Sequence, residues 1–300
     1  MAPRILGSIG PARRFDGGTV GGMSGPGPRF FRQVLLCACC AALPLDAQPA
    51  SAQPEAGMPA PVLKSGEGLA LALEGGDIQT FGEGRAVSPM GGLAKLVWLR
   101  VEGSSWSSGN VKTRCQGAAG SLTCGTPPGH GTVTLAKALQ EDCDQAFLAW
   151  ITETRVRWLK DYGPEVAWYR VAEVFEPFLG RRLPANASLP EFSMPWVGDG
   201  DLLRTSPEAF LQWLQQPENA EVAAFGRRML AGYWAEVSAL FGKENWWFKT
   251  ATASVPGVPG ATSAWVAGGR GSTLVVLHIP RGKGKPEALA RMREILGLKR

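Results

Sequence analysis

The stretch "SPMGGLAKLVW" runs from Ser88 to Trp98. A turn of small residues is followed by a lysine and then by an apolar run, a pattern that predicts the start of a buried helix. Lys95 lies three residues after Gly92, so both positions fall on one face of that helix. A desolvated lysine there could accept a proton from a nucleophile at the earlier position, but Gly92 has no side chain that could act as one.

A second stretch, "GHGTVTLAKALQEDCDQAF" (Gly129 to Phe147), brings two carboxylates into a break between helices. Apolar residues recur at helical spacing before Asp142 and again after Asp144, which predicts two helices separated near these aspartates. The region from Gly163 to Asp201 is rich in proline and glycine and is predicted to be irregular.

The C-terminal part predicts a sheet. The stretches "NWWFKTATASV" (245–255), "TSAWVAGG" (262–269) and "STLVVLHI" (272–279) are typical of three strands with tight connections, and such neighbours pair antiparallel. A helix over 286–298 follows. The first strand carries a run of polar and small residues: Lys249, Thr250, Ala251 and Thr252.

The order of elements predicts the fold class. The sequence indicates a hairpin over 69–82. Ser206 precedes Pro-Glu, which indicates the N-cap of a helix. Another helix is indicated over 220–237. Since strands open and close the domain, we expect an α+β fold in which helices flank a central antiparallel sheet and a helical subdomain is inserted between strands.

Taken together, three segments resemble the penicillin-recognising serine enzymes, which comprise the transpeptidase domains of penicillin-binding proteins and the class D β-lactamases. That family carries Ser-x-x-Lys at the start of a buried helix, Ser-x-Asn in the helical domain and Lys-Thr/Ser-Gly on an edge strand. The corresponding positions here read Gly92-Leu93-Ala94-Lys95, Asp142-Cys143-Asp144 and Lys249-Thr250-Ala251-Thr252. The resemblance covers roughly residues 67–298 and implies the DD-peptidase/β-lactamase fold.

The resemblance also implies roles for these positions. Gly92 stands where the family has its nucleophilic serine, and Lys95 where it has the proton acceptor. Lys249 and the three residues after it correspond to the strand that binds the substrate carboxylate and backbone, although Ala251 replaces the usual glycine. Ser88, one helical turn before Gly92, is the alternative hydroxyl, but it precedes Pro89 and lies outside the predicted helix.

The two aspartates leave three interpretations open. Asp142 and Asp144 could form a closed ion-pair cluster with Lys95 and Lys249, which would keep the paired lysine protonated and therefore a poor base. They could instead act as an acid/base pair for a different hydrolysis. They could also cap a helix and face water.

The N-terminal region predicts export. "RFFR" supplies a positive flank, "VLLCACCAALPL" (34–45) a short apolar core and "ASA" (50–52) a cleavage site. We therefore predict a leader over 1–52, with translation starting as late as Met23, then a Pro/Ala-rich tether over 53–66 and a domain over 67–298. The mature protein is expected in the periplasm or secreted, with acylation of Cys39 the less favoured alternative.

The cysteines and histidines give little sign of metal or redox chemistry. In an oxidising compartment Cys115 and Cys124 could form a disulfide across a short hairpin, leaving Cys143 free and buried. His130 and His278 are the only histidines and show no metal-ligand spacing, so neither a metal site nor a cofactor is expected.

The charge of the chain does not indicate nucleic acid. The net charge is +5, but five of the 31 basic and two of the 26 acidic side chains lie in the predicted leader, and no basic stripe is evident. No stretch after the leader is long and apolar enough to cross a membrane. We expect a non-catalytic relative of the family, a pseudoenzyme that binds cell-wall peptide (peptidoglycan peptide) or an envelope protein. The alternatives are a DD-transpeptidase or carboxypeptidase-like hydrolase with an unorthodox nucleophile and a structural envelope protein.

Overall fold

A five-stranded antiparallel sheet joins the two ends of the domain. The computed structural model describes residues 60–102, 112–117, 129–180, 189–231, 240–241 and 245–298, all within one unit of the chain, Ser51–Arg300. The strands are β1 (Gly68–Ala72), β2 (Gln79–Gly82), β3 (Ser88–Pro89), β4 (Lys112–Cys115), β5 (Gly131–Thr134), β6 (Arg204–Thr205), β7 (Trp247–Ser254), β8 (Thr262–Arg270) and β9 (Thr273–Ile279). The helices are α1 (Ala94–Glu102), α2 (Leu135–Gln140), α3 (Asp144–Phe175), α4 (Pro207–Gln215), α5 (Ala220–Leu230) and α6 (Lys285–Ile295).

The sheet has the strand order β2-β1-β9-β8-β7, with every neighbouring pair antiparallel. The elements from β3 to α5 are inserted between β2 and β7. This arrangement confirms the predicted α+β class, in which the first and last strands share one sheet.

Both faces of the sheet are covered. In β1, Leu69 and Leu71 pack with α6, whereas Ala70 and Ala72 belong to the larger core that the sheet forms with α1, α3, α4 and α5. Successive side chains of a strand point to opposite faces, so this alternation assigns each residue to one of the two cores. Burial of each large aliphatic side chain stabilises the fold by about 1.5–3 kcal/mol.

The helical region differs from the sequence prediction after residue 163. The break near the two aspartates is present, but helical structure continues to Phe175 instead of ending in an irregular segment. Gly163 has a non-helical backbone with φ of 76°, which kinks α3 at this point. Pro164 then opens the second half of the helix, the position at which a proline without an N–H is tolerated.

Other local predictions can be compared directly with the structure. The Oγ of Ser206 accepts a hydrogen bond from the backbone N–H of Ala209 at 3.1 Å, so the predicted N-cap is present. The helix predicted over 220–237 is observed as α5 to Leu230, and residues 232–239 lie outside the described part of the chain. No helix among the described residues is both long and apolar enough to cross a membrane.

The end of the predicted tether is attached to the C-terminal helix. The guanidinium of Arg291 on α6 donates two hydrogen bonds to the carboxylate of Glu67, from Nε at 2.9 Å and from Nη2 at 2.7 Å, and a further one to the carbonyl of Val62 at 2.5 Å. Glu67 and Arg291 are both buried. This contact holds residues 62–67 against the domain directly before β1.

Candidate functional site

A short 3₁₀ turn, Gly91–Leu93, lies directly against the edge strand β7. A Cβ atom at Gly91 would lie 2.4 Å from the carbonyl oxygen of Thr252, and Gly91 has φ of 55°, so only glycine fits this position. The preceding segment is fixed as well, because the indole N–H of Trp265 donates to the carbonyl of Pro89 at 2.8 Å. The turn is therefore held between the sheet and the helical layer.

Helix α1 continues from this turn and buries Lys95 completely, with 0% of its surface exposed. The helix is anchored by Trp98, whose indole N–H donates to the carbonyl of Trp196 at 2.7 Å. A buried ammonium is costly unless it is paired, so the surroundings of Lys95 must supply anions.

Those anions come from the break between α2 and α3. Asp142 has φ of 53°, a left-handed backbone conformation that aspartate adopts more readily than most residues, and Asp144 begins α3. The Nζ of Lys95 lies 2.6 Å from Oδ1 of Asp142 and 2.5 Å from Oδ1 of Asp144. The backbone turn therefore directs both carboxylates towards one ammonium.

The edge strand supplies a second ammonium to the same oxygen. The Nζ of Lys249, on β7, lies 2.5 Å from Oδ1 of Asp142 and donates to the carbonyl of Thr250 at 2.6 Å. Lys95, Asp142, Asp144 and Lys249 thus form one connected group, here called the lysine–aspartate cluster. Three segments that are distant in the sequence meet in it.

Gly92 borders the lysine–aspartate cluster, and a side chain there would find no free space. A Cβ atom at this position would lie 2.7 Å from Oδ1 of Asp142 and 3.1 Å from Nζ of Lys95. Contacts below 3.0 Å require a neighbour to move. The carboxylate of Asp142 therefore fills the volume into which a side chain at position 92 would extend.

The charges in the lysine–aspartate cluster shift its pKa values. Burial alone would lower the pKa of Lys95, but the carboxylates of Asp142 and Asp144 outweigh burial and raise it above its usual value. Burial would raise the pKa of Asp142, yet Lys249 and Lys95 hold it well below the usual range. The pKa of Lys249 is lowered by burial, which together with the nearby charge of Lys95 outweighs the attraction of Asp142. At neutral pH the structure therefore favours a protonated Lys95 and an ionised Asp142.

The other residues of the strand predicted to bind substrate differ in exposure. Lys249, Thr250 and Ala251 are buried, whereas Thr252 is exposed. Because the 3₁₀ turn packs against the carbonyl of Thr252, part of this edge is already covered by the chain itself. A substrate-binding role for these four residues stays a prediction.

The alternative hydroxyl and the second histidine lie elsewhere. Ser88 is in β3, which pairs with β6 through Thr205, and in the described part of the chain no hydroxyl is hydrogen-bonded to Lys95. His278, on β9, is buried against the ring of Trp265 with 4.3 Å between ring centroids, and burial lowers its pKa to about 4. His278 is therefore neutral at physiological pH.

Two of the three cysteines that follow the predicted leader lie in the described part of the chain. Cys115 and Cys143 are both buried, and because Cys124 lies outside the described residues the Cys115–Cys124 disulfide stays a prediction. The thiol of Cys115 lies 3.6 Å from Oε1 of Gln145. Its sulfur also lies within 4.8 Å of a ring nitrogen of His130 and of the sulfur of Cys143.

This Cys115–His130–Cys143 group is what the sequence reasoning missed. The expectation of no metal site stays a prediction, but the three side chains offer one ligand atom each, and these atoms all lie within 4.8 Å of one another. Local spacing could not reveal the group, since Cys115 ends β4, His130 precedes β5 and Cys143 is a helix N-cap. The available signal was that these two cysteines and the histidine lie close together in the sequence.

Comparisons with known proteins identify the fold. No protein-family model and no curated protein sequence matches the chain. Among solved structures, penicillin-binding protein 2B from Streptococcus pneumoniae matches with a TM-score of 0.51 and 13% identity, over 77% of this chain and 53% of that protein. The chain thus spans about half the length of the pneumococcal protein.

Two further solved structures agree. The penicillin-binding protein PonA1 from Mycobacterium tuberculosis matches with a TM-score of 0.50 and 12% identity, over 78% of this chain and 77% of that one. The transpeptidase domain of penicillin-binding protein 3 from Burkholderia pseudomallei matches with a TM-score of 0.50 and 12% identity, over 77% of this chain and 86% of that one. The chain therefore has the fold of penicillin-binding-protein transpeptidase domains, as its three sequence segments indicated.

Proposed function

We propose that this chain is an exported, non-catalytic domain with the transpeptidase fold, and that it acts in the cell envelope by binding a protein partner. The observation that carries the proposal is the position of Asp142. Its carboxylate occupies the space beside Gly92 and binds both lysines, so the position that would hold a nucleophile is filled by an internal anion.

The state of Lys95 supports the absence of acyl transfer. A proton acceptor must be unprotonated, and two carboxylates at 2.5–2.6 Å favour the protonated form. Asp142 is an equally poor candidate for the acid of an acid/base pair, because it binds two ammonium groups and its pKa is lowered rather than raised. General acid catalysis needs one carboxyl group that stays protonated near neutral pH.

The same contacts favour a protein partner over a cell-wall peptide. A peptide whose carboxylate was recognised by Lys249 would have to displace Asp142 from it, at the cost of an ion pair at 2.5 Å. A protein that binds the outer surface needs no such displacement. Export of the domain is predicted from the N-terminal signal pattern.

Labelling with a fluorescent penicillin tests the proposal that the domain is non-catalytic. We expect no covalent label on the native chain and none on Gly92→Ser, because a side chain at this position has to move the carboxylate of Asp142 away from Lys95 and Lys249. The triple variant Gly92→Ser/Asp142→Ser/Asp144→Asn restores the first two motifs of the family pattern and removes the Asp142 carboxylate beside position 92, so we expect it to label.

The labelling results distinguish an active enzyme from a non-catalytic domain. Covalent labelling of the native chain would show that it is an active enzyme, and its loss in Ser88→Ala would identify the nucleophile. A triple variant that is folded by circular dichroism yet unlabelled would contradict the role given to Asp142.

The ligand class is tested by equilibrium binding of a synthetic peptide ending in D-Ala-D-Ala. We expect no binding to the native chain at concentrations where a penicillin-binding protein control does bind. Binding that is lost in Lys249→Met would replace the protein partner with cell-wall peptide as the ligand.

A further inference from the structure

Cys115, His130 and Cys143 converge from three separate elements. Cys115 ends β4, His130 immediately precedes β5, and the register of these strands pairs Cys115 with Gly131, the residue after the histidine. Cys143 is the N-cap residue of α3. The two sulfur atoms and a ring nitrogen of His130 all lie within 4.8 Å of one another.

The geometry points to a zinc site in which Cys115, His130 and Cys143 are the protein ligands. Around a tetrahedral zinc ion, Zn–S bonds of about 2.3 Å and a Zn–N bond of about 2.0 Å hold the ligand atoms about 3.5–3.8 Å apart. Ligand atoms no more than 4.8 Å apart therefore need only a small contraction to bind one ion.

The chemistry of the three ligand side chains favours zinc over other metal ions. Two thiols and an imidazole are soft and borderline ligands, which suit zinc and do not suit calcium or magnesium, whose ligands are oxygens. Both cysteines are buried, with 2% of each exposed, so the site would be shielded from bulk solvent. A Cys₂His set leaves one position of the tetrahedron for a further ligand or water.

The position of Cys143 favours the thiolate form that binds metal. Cys143 lies at the N-terminus of α3, where the helix dipole favours a negative charge.

Hydrogen bonds also hold the ligand-bearing segments together. The amide oxygen of Gln145 accepts from the backbone N–H of Gln116 at 3.1 Å, and the hydroxyl of Thr113 donates to the carbonyl of Ala146 at 2.6 Å. These bonds join β4 to the first turn of α3 on both sides of Cys115. The ligands are therefore pre-positioned by contacts that do not involve the ion.

The site would have a structural consequence for the lysine–aspartate cluster. Cys143 lies between Asp142 and Asp144, so an ion bound to its sulfur would fix the left-handed turn that directs both carboxylates to Lys95. Zinc would thus link the β4–β5 hairpin to that cluster. This inference does not depend on whether the domain is catalytic.

Metal analysis of the full chain, purified under reducing conditions without chelators or immobilised metal, tests the proposal. We expect about one zinc ion per chain, and a fall of about tenfold or more in Cys115→Ser, His130→Asn and Cys143→Ser. His278→Asn is the matched control, since it removes the only other histidine of the sequence and should retain the zinc.

A ligand variant that failed to fold would lose zinc for an uninformative reason, so a measurement on the native chain is needed as well. After removal of the metal, addition of Co²⁺ should produce a thiolate-to-cobalt charge-transfer band, and Zn²⁺ should abolish it. Zinc should also raise the thermal midpoint, because the ion binds the folded state.

Three results would overturn the proposal. The first is a reduced native chain that binds neither zinc nor cobalt. The second is the presence of copper rather than zinc in the purified protein. The third is a Cys115–Cys124 disulfide in the native chain, detected by mass spectrometry of peptides from the unreduced protein, because it would remove one of the thiolates.

Discussion

The domain contains two groups of charges with buried cations, and these cations are satisfied in different ways. In the Glu67–Arg291 pair, one guanidinium faces one carboxylate with bonds of 2.7–3.0 Å, and further donors bind Val62 and Glu294. In the lysine–aspartate cluster, one oxygen of Asp142 serves two ammonium groups, and the residue that carries it has a left-handed backbone.

This difference distinguishes the Glu67–Arg291 ion pair, which stabilises the fold, from the lysine–aspartate cluster, which resembles a functional site. Arg291 matches the carboxylate of Glu67 with a planar fork of donors, so the pair is fully bonded where β1 meets α6. Burial and the nearby charge of Lys95 lower the pKa of Lys249, whereas Asp142 and Asp144 together outweigh burial and raise the pKa of Lys95. Both groups contain buried cations. They differ in how completely hydrogen bonds and ion pairs satisfy those cations.

The largest effect is expected from breaking the structural pair. Glu67→Ala would leave Arg291 buried without its main acceptor, which we expect to lower the free energy of unfolding by about 4 kcal/mol. Urea denaturation followed by circular dichroism measures this. The exposed pair Arg85–Glu208 is the control, because Arg85→Ala should cost less than about 1 kcal/mol. Equal losses of unfolding free energy in Glu67→Ala and Arg85→Ala would contradict the distinction between a buried and an exposed ion pair.

A smaller effect is expected in the lysine–aspartate cluster. Asp142→Asn removes the charge that both lysines share, but 40% of the Asp142 side chain is exposed, so we expect a loss of about 2–3 kcal/mol. Asp144→Asn removes one contact of Lys95 and should cost about 1 kcal/mol. The same denaturation series compares them, and a larger loss for Asp144→Asn would show that Asp142 is not the central anion.

An effect that appears only on acidification concerns His278, a buried ionisable group whose ring nitrogens have no hydrogen-bond partner within the described part of the chain. Its pKa is about 4 in the folded protein against about 6.5 in the unfolded chain, so the unfolded state binds the proton first on acidification. Stability should therefore fall between pH 6.5 and pH 4, by about 2 kcal/mol from pH 7 to pH 4.5. His278→Leu should lose this part of the pH dependence, and an unchanged dependence would mean that the histidine is protonated in the fold.

Much of the architecture could be predicted because it depends on local patterns. The alternation in β1 and the Gly-rich connections of the last three strands specify the sheet, and Ser206 with Pro207 marks a helix start directly. The Gly163–Pro164 pair was misjudged, since the same dipeptide ends a helix or reopens one depending on whether the following residues pack against the core. Val171 and Phe175 do so here.

The site was only partly accessible from the sequence. The order of the three segments correctly brought Lys95, Asp142 and Lys249 to one place, because the resemblance supplied the fold. The sharing of a single oxygen, and the lack of room at Gly92, depend on distances of a few tenths of an ångström that no pattern encodes. The convergence of Cys115 with Cys143 likewise could not be predicted without the pairing register of β4 and β5.

The contact between position 92 and the carboxylate of Asp142 also constrains how this domain could change over time. Any substitution that adds a side chain at Gly92 meets an occupied volume unless position 142 has changed first. The two positions are therefore coupled, since a side chain can be added at Gly92 only if the carboxylate of Asp142 moves away from Lys95 and Lys249.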